Sequence, residues 1–433
     1  MPEPGGRNDV VILGAGLAGL STAAHLRSGY RLLEASDRIG GLCTTTVDQG
    51  FRFDVTGHLL HLRDPAMRRW VHALLGDRLL RIDRRARIFS HGVYTRYPYQ
   101  ANTYGLPPEV AYECLRGFLA AWEKRDRGRA PRDFEQFIRR YFGDGIARHF
   151  MIPYNTKLWG IPPREMSTSW TDRFVPRPSL DDVLAGAVGL GDRALGYNAQ
   201  FVYPRRGIGE LPAALHAALG RKAELGVGAR RIDLRARTVR TGTERIPFRW
   251  LVSTLPLPRL CGLLEGAPAW VGDAARRLRC TSLSYLDVAL ERPAGTEYHW
   301  SYVPEARLPF YRVGAYSNFS PALAPRGKGS LYVELASRRP FRREHLPAVL
   351  RGLVELGLIR RASDVRFVRS RRIPYAYVVY DHAWERTRAK LLGFLREQRI
   401  LSCGRYGAWE YSAMEDALLA GRDAARTVLE ENR

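Results

Sequence analysis

The stretch Asp9-Val10-Val11-Ile12-Leu13-Gly14-Ala15-Gly16-Leu17-Ala18-Gly19 decides the fold of this 433-residue chain. The residues after Asp9 are apolar and mostly β-branched, a pattern typical of a parallel strand that is covered on both faces. Gly14, Gly16 and Gly19 then give a GxGxxG spacing, and residues 20–26 are predicted to form a helix. Glycines at this spacing allow a tight turn, close approach of the backbone to a pyrophosphate and close packing of helix on strand. The free N–H groups at the start of such a helix favour phosphate.

A carboxylate follows at the position expected of a ribose ligand. Residues 30–33 are predicted to form a second strand, which ends in Glu34, 20 residues after Gly14. In dinucleotide-binding units, an acid at this spacing bonds to the ribose hydroxyls. Strand, helix and acid together therefore predict a dinucleotide site rather than a glycine-rich turn without a ligand.

The charge of the chain is strongly positive but dispersed. Lys and Arg number 68 against 44 Asp and Glu, which gives a formal net charge of +24, and only five of the basic residues are lysines. Because the arginines are spread along the whole chain rather than clustered in a tail, we interpret them as a general preference for arginine and expect no nucleic-acid partner. Individual arginines remain candidates for phosphate contacts.

Other features of the composition exclude several classes of protein. The five cysteines form no CxxC pair, so neither a disulfide framework nor a metal site is predicted. No apolar run reaches about 18 residues, so no transmembrane segment is predicted. The first eight residues are polar and do not resemble a signal peptide. We expect a cytoplasmic protein, and the sequence leaves open whether it forms a homo-oligomer.

The residues after Glu34 narrow the type of dinucleotide. Residues 35–41, Ala-Ser-Asp-Arg-Ile-Gly-Gly, resemble the second fingerprint of the FAD-dependent amine-oxidase-like superfamily. Residues 400–405, an apolar strand followed by Gly404 and Arg405, resemble the C-terminal piece that closes over the flavin in that superfamily. The resemblance implies FAD as cofactor. The residues that it assigns to the cofactor are Gly14, Gly16, Gly19, Glu34, Arg38, Gly40, Gly41, Gly57, Gly404 and Arg405.

Six segments, in the same order along nearly the whole chain, resemble the UDP-galactopyranose mutase family, with a pattern nearer to its eukaryotic type than to its bacterial type. They are GHLLH at 57–61, RYPYQAN at 96–102, MIPYNTKLWG at 151–160, YNAQFVYP at 197–204, the group HWSY, PFYR and SNFSP within 299–321, and GRYGAWEY at 404–411. Agreement at six ordered sites is much more specific than any single motif. The histidine pair alone would more often be two ordinary, partly buried histidines.

The residue types in these segments suit a nucleotide diphosphate. Tyr97, Tyr99 and Gln100 bring two rings and an amide together, and such a group can stack on a planar base and bond to its edge. The alternative is a half-buried edge strand with aromatic packing. Arg173 and Arg312 come from distant parts of the chain and can converge on a diphosphate. The alternative is that they are solvated arginines among many, with Arg177 as a second candidate for the role of Arg173.

The resemblance assigns roles residue by residue. For the substrate it implies Tyr97, Tyr99, Gln100 and Tyr302 at uracil, Asn155 and Trp159 on the ribose side, Arg173, Arg312, Tyr377 and Tyr411 at the diphosphate, and Asn198 near the sugar and a mobile lid. Tyr154 is a further substrate-binding candidate from the same motif. His58 is expected beside the flavin, and His58, Arg173 and Arg312 are the candidate catalytic residues.

The activity that the resemblance implies is unusual for a flavoprotein. It is the interconversion of UDP-galactopyranose, or a related UDP-hexopyranose, with its furanose form through an adduct between the sugar and N5 of reduced flavin. The FAD must be reduced, no net oxidation occurs, and the product would serve cell-surface polysaccharide biosynthesis. The alternative is an FAD-dependent oxidoreductase of the amine oxidase or protoporphyrinogen oxidase type. A third reading is a flavin- or nucleotide-binding protein without catalysis.

The expected fold class is α/β, with a Rossmann-like FAD-binding domain and inserted helical and antiparallel-sheet substrate domains. Residues 1–60, 208–265 and 398–433 are predicted to form the discontinuous FAD domain, 61–207 a helical and lid region, and 266–397 the substrate-binding sheet. Helices are expected over 65–80 and 108–150, and a flexible lid over 163–195. Two departures from the family pattern, Phe319 in place of a diphosphate tyrosine and Glu415 in place of an asparagine, put the identity of the substrate in doubt.

Overall fold

The computed structural model describes residues 9–125, 129–190, 199–336 and 340–432. Its strands are β1 (Val10–Leu13), β2 (Tyr30–Glu34), β3 (Thr45–Asp48), β4 (Phe51–Asp54), β5 (Leu79–Asp83), β6 (Ala86–Ser90), β7 (Val93–Arg96), β8 (Gln200–Pro204), β9 (Glu224–Leu225), β10 (Arg231–Asp233), β11 (Thr238–Arg240), β12 (Arg245–Pro247), β13 (Trp250–Ser253), β14 (Leu264–Glu265), β15 (Leu283–Leu290), β16 (Trp300–Tyr302), β17 (Arg312–Ala315), β18 (Gly329–Ala336), β19 (Val365–Ile373) and β20 (Ile400–Ser402).

The α-helices alternate with these strands through most of the chain. They are α1 (Leu17–Leu26), α2 (Pro65–Leu75), α3 (Pro108–Lys124), α4 (Phe134–Ile146), α5 (Ile152–Trp159), α6 (Thr171–Phe174), α7 (Leu180–Ala187), α8 (Glu210–Ala217), α9 (Leu257–Gly262), α10 (Ala269–Arg277), α11 (Leu346–Glu355), α12 (Trp384–Glu397), α13 (Gly404–Gly407) and α14 (Met414–Glu430). A π-helical segment, Ala147–Met151, joins α4 to α5.

A parallel sheet forms the centre of the predicted dinucleotide unit. Its strand order is β20-β13-β1-β2-β9, and the neighbouring strands are parallel throughout. Every residue of β1 is buried, as its apolar sequence predicts for a central strand. The sheet draws its strands from the N-terminal, middle and C-terminal parts of the chain. This architecture confirms the predicted Rossmann-like α/β fold.

A seven-stranded sheet lies on the other side of the candidate site. Its order is β19-β15-β18-β17-β16-β6-β7, and all neighbours are antiparallel except β16 and β6, which run parallel. β15 is buried along its whole length because β18 and β19 pair with its two edges and apolar side chains pack on both of its faces. β6 and β7 come from the region before residue 100, so the substrate sheet extends beyond the segment 266–397. The division of the chain into domains stays a prediction.

The predicted helices occur, with different ends. Asp64 accepts a hydrogen bond from the N–H of Met67 and Pro65 occupies the first turn, so α2 begins where the capping pattern predicts. The helix predicted over 108–150 is interrupted: α3 ends at Lys124, α4 begins at Phe134, and Gly143 has a φ of 75° inside α4. A Cβ at Gly143 would lie 2.1 Å from the carbonyl oxygen of Gly117 in α3, so the interruption lets the two helices pack closely. Among the described residues, no helix combines the length and apolarity needed to cross a bilayer.

Candidate active site

A cavity of about 660 Å³ runs from the glycine-rich loop after β1 to the helix α5 and the strands β16 and β17. Its first end lies at the carboxyl edge of the parallel sheet, where open α/β folds bind their ligands. Five of the six family-like segments supply lining residues, most of them aromatic or cationic, and the described part of the segment 197–204 supplies none. One cavity therefore connects the predicted cofactor residues to most of the predicted substrate residues.

The glycine-rich end has the geometry of a phosphate cradle. Gly14 has a φ of +98°, and a Cβ there would lie 2.3 Å from Oγ1 of Thr254. A Cβ at Gly19 would lie 1.9 Å from the carbonyl oxygen of Gly14, so this glycine serves the packing of α1 against β1. Gly16 pairs with Gly40 across the loop, and the start of α1 has no side-chain cap. The N–H groups of its first turn are therefore directed to the cavity end.

Glu34 is held at the edge of this cradle. Its Oε2 accepts a hydrogen bond of 2.8 Å from the backbone N–H of Ala15, and its Oε1 accepts from the N–H and hydroxyl of Ser36. The carboxylate lines the cavity, where it can also accept from ribose hydroxyls. Arg38 is exposed and does not line the cavity, so the predicted contact of its side chain with the cofactor has no support in this geometry.

Two buried nitrogen atoms show that the cavity fits a polar cofactor. Nδ1 of His58 and Nε of Arg405 are buried and have no hydrogen-bond partner among the described residues. Both residues line the cavity, together with Gly57 and Gly404. Buried polar groups normally find a partner, so these atoms point to one supplied by a bound group. With the uncapped helix and the carboxylate of Glu34, this set of donors and acceptors fits FAD, whose pyrophosphate the start of α1 would hold and whose ribose Glu34 would hold.

His58 is uncharged in this environment. Burial, reinforced by the guanidinium groups of Arg405 and Arg312, lowers the pKa of His58 to about 4. Its position is fixed by the turn that precedes it, in which Thr56 has a φ of 62° and a Cβ at Gly57 would lie 2.5 Å from the hydroxyl of Tyr332. A neutral imidazole can donate one hydrogen bond and accept another without adding charge.

Arg405 bridges the two ends of the cavity. It donates to the carbonyl oxygens of Ser412, at 3.0 Å, and Ala376, at 3.1 Å. Its guanidinium lies 4.8 Å from the ring centroid of Tyr411 and 5.4 Å from that of Tyr377. The two rings stack on each other at 5.9 Å and 24°. Their hydroxyls are thus carried by a rigid aromatic pair.

A second aromatic group lines the far end. The rings of Tyr97 and Tyr302 lie 5.3 Å apart, and Tyr154 meets Tyr302 edge-on at 5.5 Å. The guanidinium of Arg84 lies 4.7 Å above the ring of Tyr97. Gln100 lines the same end and donates from Nε2 to the carbonyl oxygen of Pro176. The structure therefore brings together three of the four residues predicted at uracil.

Tyr99 is the exception, because its side chain does not lie where the predicted contact with uracil requires it. Its ring is fully buried, stacks on Phe150 at 4.7 Å and 9°, and has its hydroxyl 4.0 Å from Sγ of Cys114. It does not line the cavity. The side chain belongs to the core because it lies in the 3-10 turn Tyr99–Ala101, where Gln100 and not Tyr99 reaches the cavity. Asn198 lies outside the described residues.

Asn155 and Trp159 line the cavity but bond to each other. The indole N–H of Trp159 donates to Oδ1 of Asn155, and Nδ2 of Asn155 donates to the carbonyl oxygen of Met151, one turn back in the helix. These bonds use the one donor of the Trp159 indole, and they leave Asn155 with one N–H of Nδ2 and one acceptor site of Oδ1. The two residues therefore present a preorganised surface, and their ribose contacts stay a prediction.

Each of the two predicted phosphate arginines has a carboxylate partner that the sequence did not indicate. Arg312 donates from Nε and Nη2 to Glu334, at 2.7 and 2.6 Å, and Glu334 is fully buried. Arg173 donates from Nη2 to both oxygens of Asp416, at 2.6 and 2.7 Å. The first pair follows from the register of β17 and β18, in which these residues face each other. Only knowledge of that register could have predicted it.

The two departures from the family pattern do not reach the cavity. Phe319 is buried in the core and stacks on His299 at 5.5 Å and 16°. Glu415 is 1% exposed, and its Oε1 accepts from the backbone N–H groups of Arg63 and Asp64 at 2.5 and 2.7 Å. Neither side chain lines the cavity. Glu415 therefore adds no repulsive charge there, and Phe319 removes no hydroxyl from the wall.

Comparisons with known proteins agree with this geometry. Residues 17–429 match the sequence model of the family described as flavin containing amine oxidoreductase. A crystal structure of reduced UDP-galactopyranose mutase is similar at 28% identity and a TM-score of 0.92, over 98% of this chain and 96% of that chain. A putative protoporphyrinogen oxidase from Exiguobacterium sp. 255-15 (20% identity, TM-score 0.77, 98% of both chains) and cyclohexylamine oxidase from Brevibacterium oxydans IH-35A (18%, 0.73, 98% and 99%) share the fold. These findings confirm the resemblance, the fold class and the FAD cofactor predicted from the motifs.

Proposed function

The chain belongs to the flavin containing amine oxidoreductase family, and on that premise we propose that it is a flavin-dependent mutase that interconverts a UDP-hexopyranose, with UDP-galactopyranose as the first candidate, and its furanose form. One observation carries the proposal: beyond the phosphate cradle, tyrosines and five arginines converge on the cavity, set among the apolar residues of its wall. The similarity to a mutase structure at 28% identity supports the same reading.

The charge of the wall favours an anionic substrate over an amine. Of the described residues that line the cavity, five are arginines (Arg63, Arg84, Arg173, Arg312 and Arg405) and one, Glu34, is a carboxylate at the ribose end of the cradle. Glu334 and Asp416 offset part of this charge from behind the wall. A protonated amine would still meet a cationic surface, whereas a diphosphate would meet planar guanidinium groups suited to bidentate bonds.

The aromatic group suits the nucleoside. Tyr97 and Tyr302 present ring faces to which a uracil can stack, and the carbonyl oxygen of the Gln100 amide is an acceptor for its edge. Tyr377 and Tyr411 then lie between this end and Arg405, where their hydroxyls can bond to the diphosphate. We infer from this order that the sugar lies toward the cofactor end of the cavity.

The residues of the chain then have distinct tasks in the reaction. A reduced flavin, held by the glycine-rich cradle, Glu34, Gly404 and Arg405, would supply the nucleophilic chemistry at the sugar. Arg173 and Arg312 stabilise the negative charge that develops on the departing diphosphate, and they retain UDP for its return. His58, which is neutral, offers a hydrogen bond at the boundary between cradle and sugar without drawing the diphosphate toward itself. No side-chain nucleophile is required.

The test is a direct assay under two redox conditions. The flavin of the purified protein is either left oxidised or reduced by dithionite. Each form is incubated with UDP-galactopyranose in the absence of oxygen, and chromatography is used to detect UDP-galactofuranose. We expect product only after reduction. Arg312→Ala should lower kcat/KM by about 100-fold, the scale typical of losing one charge-stabilising group, whereas Arg276→Ala, at an exposed position of α10, should not.

The competing outcomes are distinct. A protein that binds UDP but forms no furanose would act on another UDP-sugar. A protein that ignores UDP and consumes oxygen in the presence of an amine would be an oxidase, and the proposal would be wrong.

A further inference from the structure

The side chain of Lys157 has no place in the reaction described above, yet its environment is highly ordered. Lys157 lies in α5 between Asn155 and Trp159, which both line the cavity. Its own side chain does not line the cavity and extends toward the segment 303–310. There Nζ lies within hydrogen-bond distance of four backbone carbonyl oxygens, those of Val303 (3.1 Å), Glu305 (2.8 Å), Leu308 (3.1 Å) and Phe310 (2.6 Å).

The chemistry of this cage requires a cation. An ammonium group has three N–H donors, whereas a neutral amine has two. Four main-chain carbonyl oxygens converge on Nζ of Lys157. All three N–H groups of the ammonium form are therefore used, and one of them is shared between two carbonyl oxygens. The carbonyl dipoles of the segment stabilise this charge, and the nearby carboxylate of Glu305 adds a favourable electrostatic interaction. An apolar side chain at this position would leave several carbonyls without a donor, which costs free energy when they are buried.

The segment held by the cage connects two residues of the substrate wall. It leaves β16 after Tyr302 and enters β17 at Arg312, and these two residues face each other in the register of the strand pair. Tyr302 packs against Tyr97 and Tyr154, and Arg312 bonds to Glu334. The far side of the segment is fixed as well, because the carboxylate of Glu305 accepts from the backbone N–H of His91. Lys157 thus supplies the hydrogen bonds between this hairpin and α5, beside the packing of Tyr154 on Tyr302 and Tyr311.

We propose that Lys157 is a positioning residue of the substrate site, whose ammonium group fixes the 303–310 segment and thereby sets Tyr302 and Arg312 against α5 at the spacing that a nucleoside diphosphate requires. The identity of that ligand rests on the proposed function. The residue acts through the segment and not through a contact with the substrate, so its loss weakens binding of the whole nucleotide. A displacement of the order of 1 Å at a positioning group is enough for a large loss.

The chain supplies a matched control. Lys222 also donates to three backbone carbonyl oxygens, those of His216 (3.0 Å), Ala217 (2.7 Å) and Leu219 (2.8 Å), at the end of α8. It does not line the cavity and lies in a different part of the chain. Lys222→Met therefore removes a similar set of bonds without touching the substrate wall.

The experiment measures UDP affinity of the FAD-loaded protein by calorimetry, with thermal unfolding as the check on folding. We expect Lys157→Met to raise the Kd for UDP, and the KM for the sugar nucleotide, by about tenfold or more, with a smaller change in kcat. Lys157→Arg, which keeps the charge and several donors, should recover most of the affinity. Lys222→Met should lower the unfolding temperature but leave the Kd unchanged.

Each outcome decides the question. A folded Lys157→Met protein with a Kd for UDP within twofold of the wild type overturns the proposal. If that variant does not fold, Lys157→Gln takes its place, and wild-type affinity in the glutamine variant overturns the proposal equally. Failure of the wild-type protein to bind UDP would instead refute the proposed function.

Discussion

Asp416 competes with any phosphate for the guanidinium of Arg173. Its two oxygens lie 2.6 and 2.7 Å from Nη2 of that arginine, and Arg173 is 43% exposed at its side chain. A diphosphate must share or displace this carboxylate to gain the full charge of the arginine.

We therefore expect Asp416→Asn to tighten UDP binding, by about threefold to tenfold, because the substitution removes the competing charge but keeps an acceptor for the N–H of Ala413. Calorimetric titration with UDP measures the change. Asp423→Asn is the control, since Asp423 lies in the same helix but pairs with Arg422 and Arg426, which do not line the cavity. A gain that persists when Arg173 is also changed to Ala would contradict this account.

His58 makes the stability of the protein depend on pH. Its pKa is lowered to about 4, below the usual 6.5, so between these values the unfolded chain binds a proton that the folded protein does not. The free energy of unfolding therefore falls as the pH falls through this window. Its contribution between pH 7 and pH 5 is about 2 kcal/mol.

Denaturant titrations of the wild type and His58→Asn at pH 7 and pH 5 test this. The variant should lose less stability between the two pH values than the wild type does. The comparison with the variant is needed because two other groups titrate in the same range. Burial raises the pKa values of Asp54 and Asp287 to about 6, so their contribution to the free energy of unfolding changes with pH in the opposite direction. Equal pH dependence of the two proteins would show that His58 is already protonated, or solvated, at pH 5.

At the scale of elements, the crossing of α1 and α14 carries the cofactor cradle. A Cβ at Gly421 in α14 would lie 2.3 Å from the carbonyl oxygen of Ala18 and 2.7 Å from Cβ of Ser21, both in α1. The hydroxyl of Ser21 also donates to the carbonyl oxygen of Leu418 at 2.6 Å. The C-terminal helix thus packs directly on the helix whose N-terminus faces the predicted pyrophosphate.

Gly421→Ala should force these helices apart. We expect it to lower the free energy of unfolding by about 1–3 kcal/mol, as overpacking does, and to weaken the retention of FAD. Thermal unfolding and the ratio of flavin to protein absorbance after gel filtration measure both effects.

The matched control is Gly393→Ala in α12, where a Cβ would meet nothing within 4 Å. It should be neutral or slightly stabilising, because alanine restricts the unfolded chain. Similar losses in both variants would contradict this account, because alanine has the higher helix propensity and a Cβ at Gly393 meets no neighbour.

The elements also show what sequence could and could not predict. The cradle was predictable because GxGxxG, the preceding strand and Glu34 are local in sequence and their spacing follows from backbone geometry. Which side chains point into the cavity could not be predicted from the sequence. Tyr99 and Gln100 are neighbours in one motif, yet a 3-10 turn sends the ring to the core and the amide to the cavity. The pair of Arg312 and Glu334 depends on the register of β17 and β18, which no local pattern specifies.

At the scale of the whole molecule, the cofactor site is a product of the complete chain. The central sheet combines strands from residues 10–34, 224–253 and 400–402. The C-terminal helix α14 packs on α1, the helix that follows β1. The substrate wall is likewise assembled from β16 and β17, from α5 and from the loop after β7. Neither site can form until distant segments have met, so cofactor binding and folding are coupled, and a bound cofactor stabilises the folded chain by mass action.

The excess of positive charge acts at this scale as well. The net charge is +24, and five arginines line the cavity. Dispersed charge of one sign creates a field that attracts an anionic ligand before contact, and dissolved salt screens it.

We expect the association rate constant of UDP, followed by stopped-flow measurement of flavin fluorescence, to fall by about tenfold between 50 and 500 mM NaCl, since both the diffusional attraction and the contacts with arginine weaken as the Debye length shrinks. Uridine is the matched control, because it offers the same base and ribose without the diphosphate, and its association should change little. If salt slowed both ligands equally, the effect would arise from the aromatic end of the cavity or from the protein itself. The arginines would then matter only as direct contacts, and their dispersed excess would reflect composition rather than function.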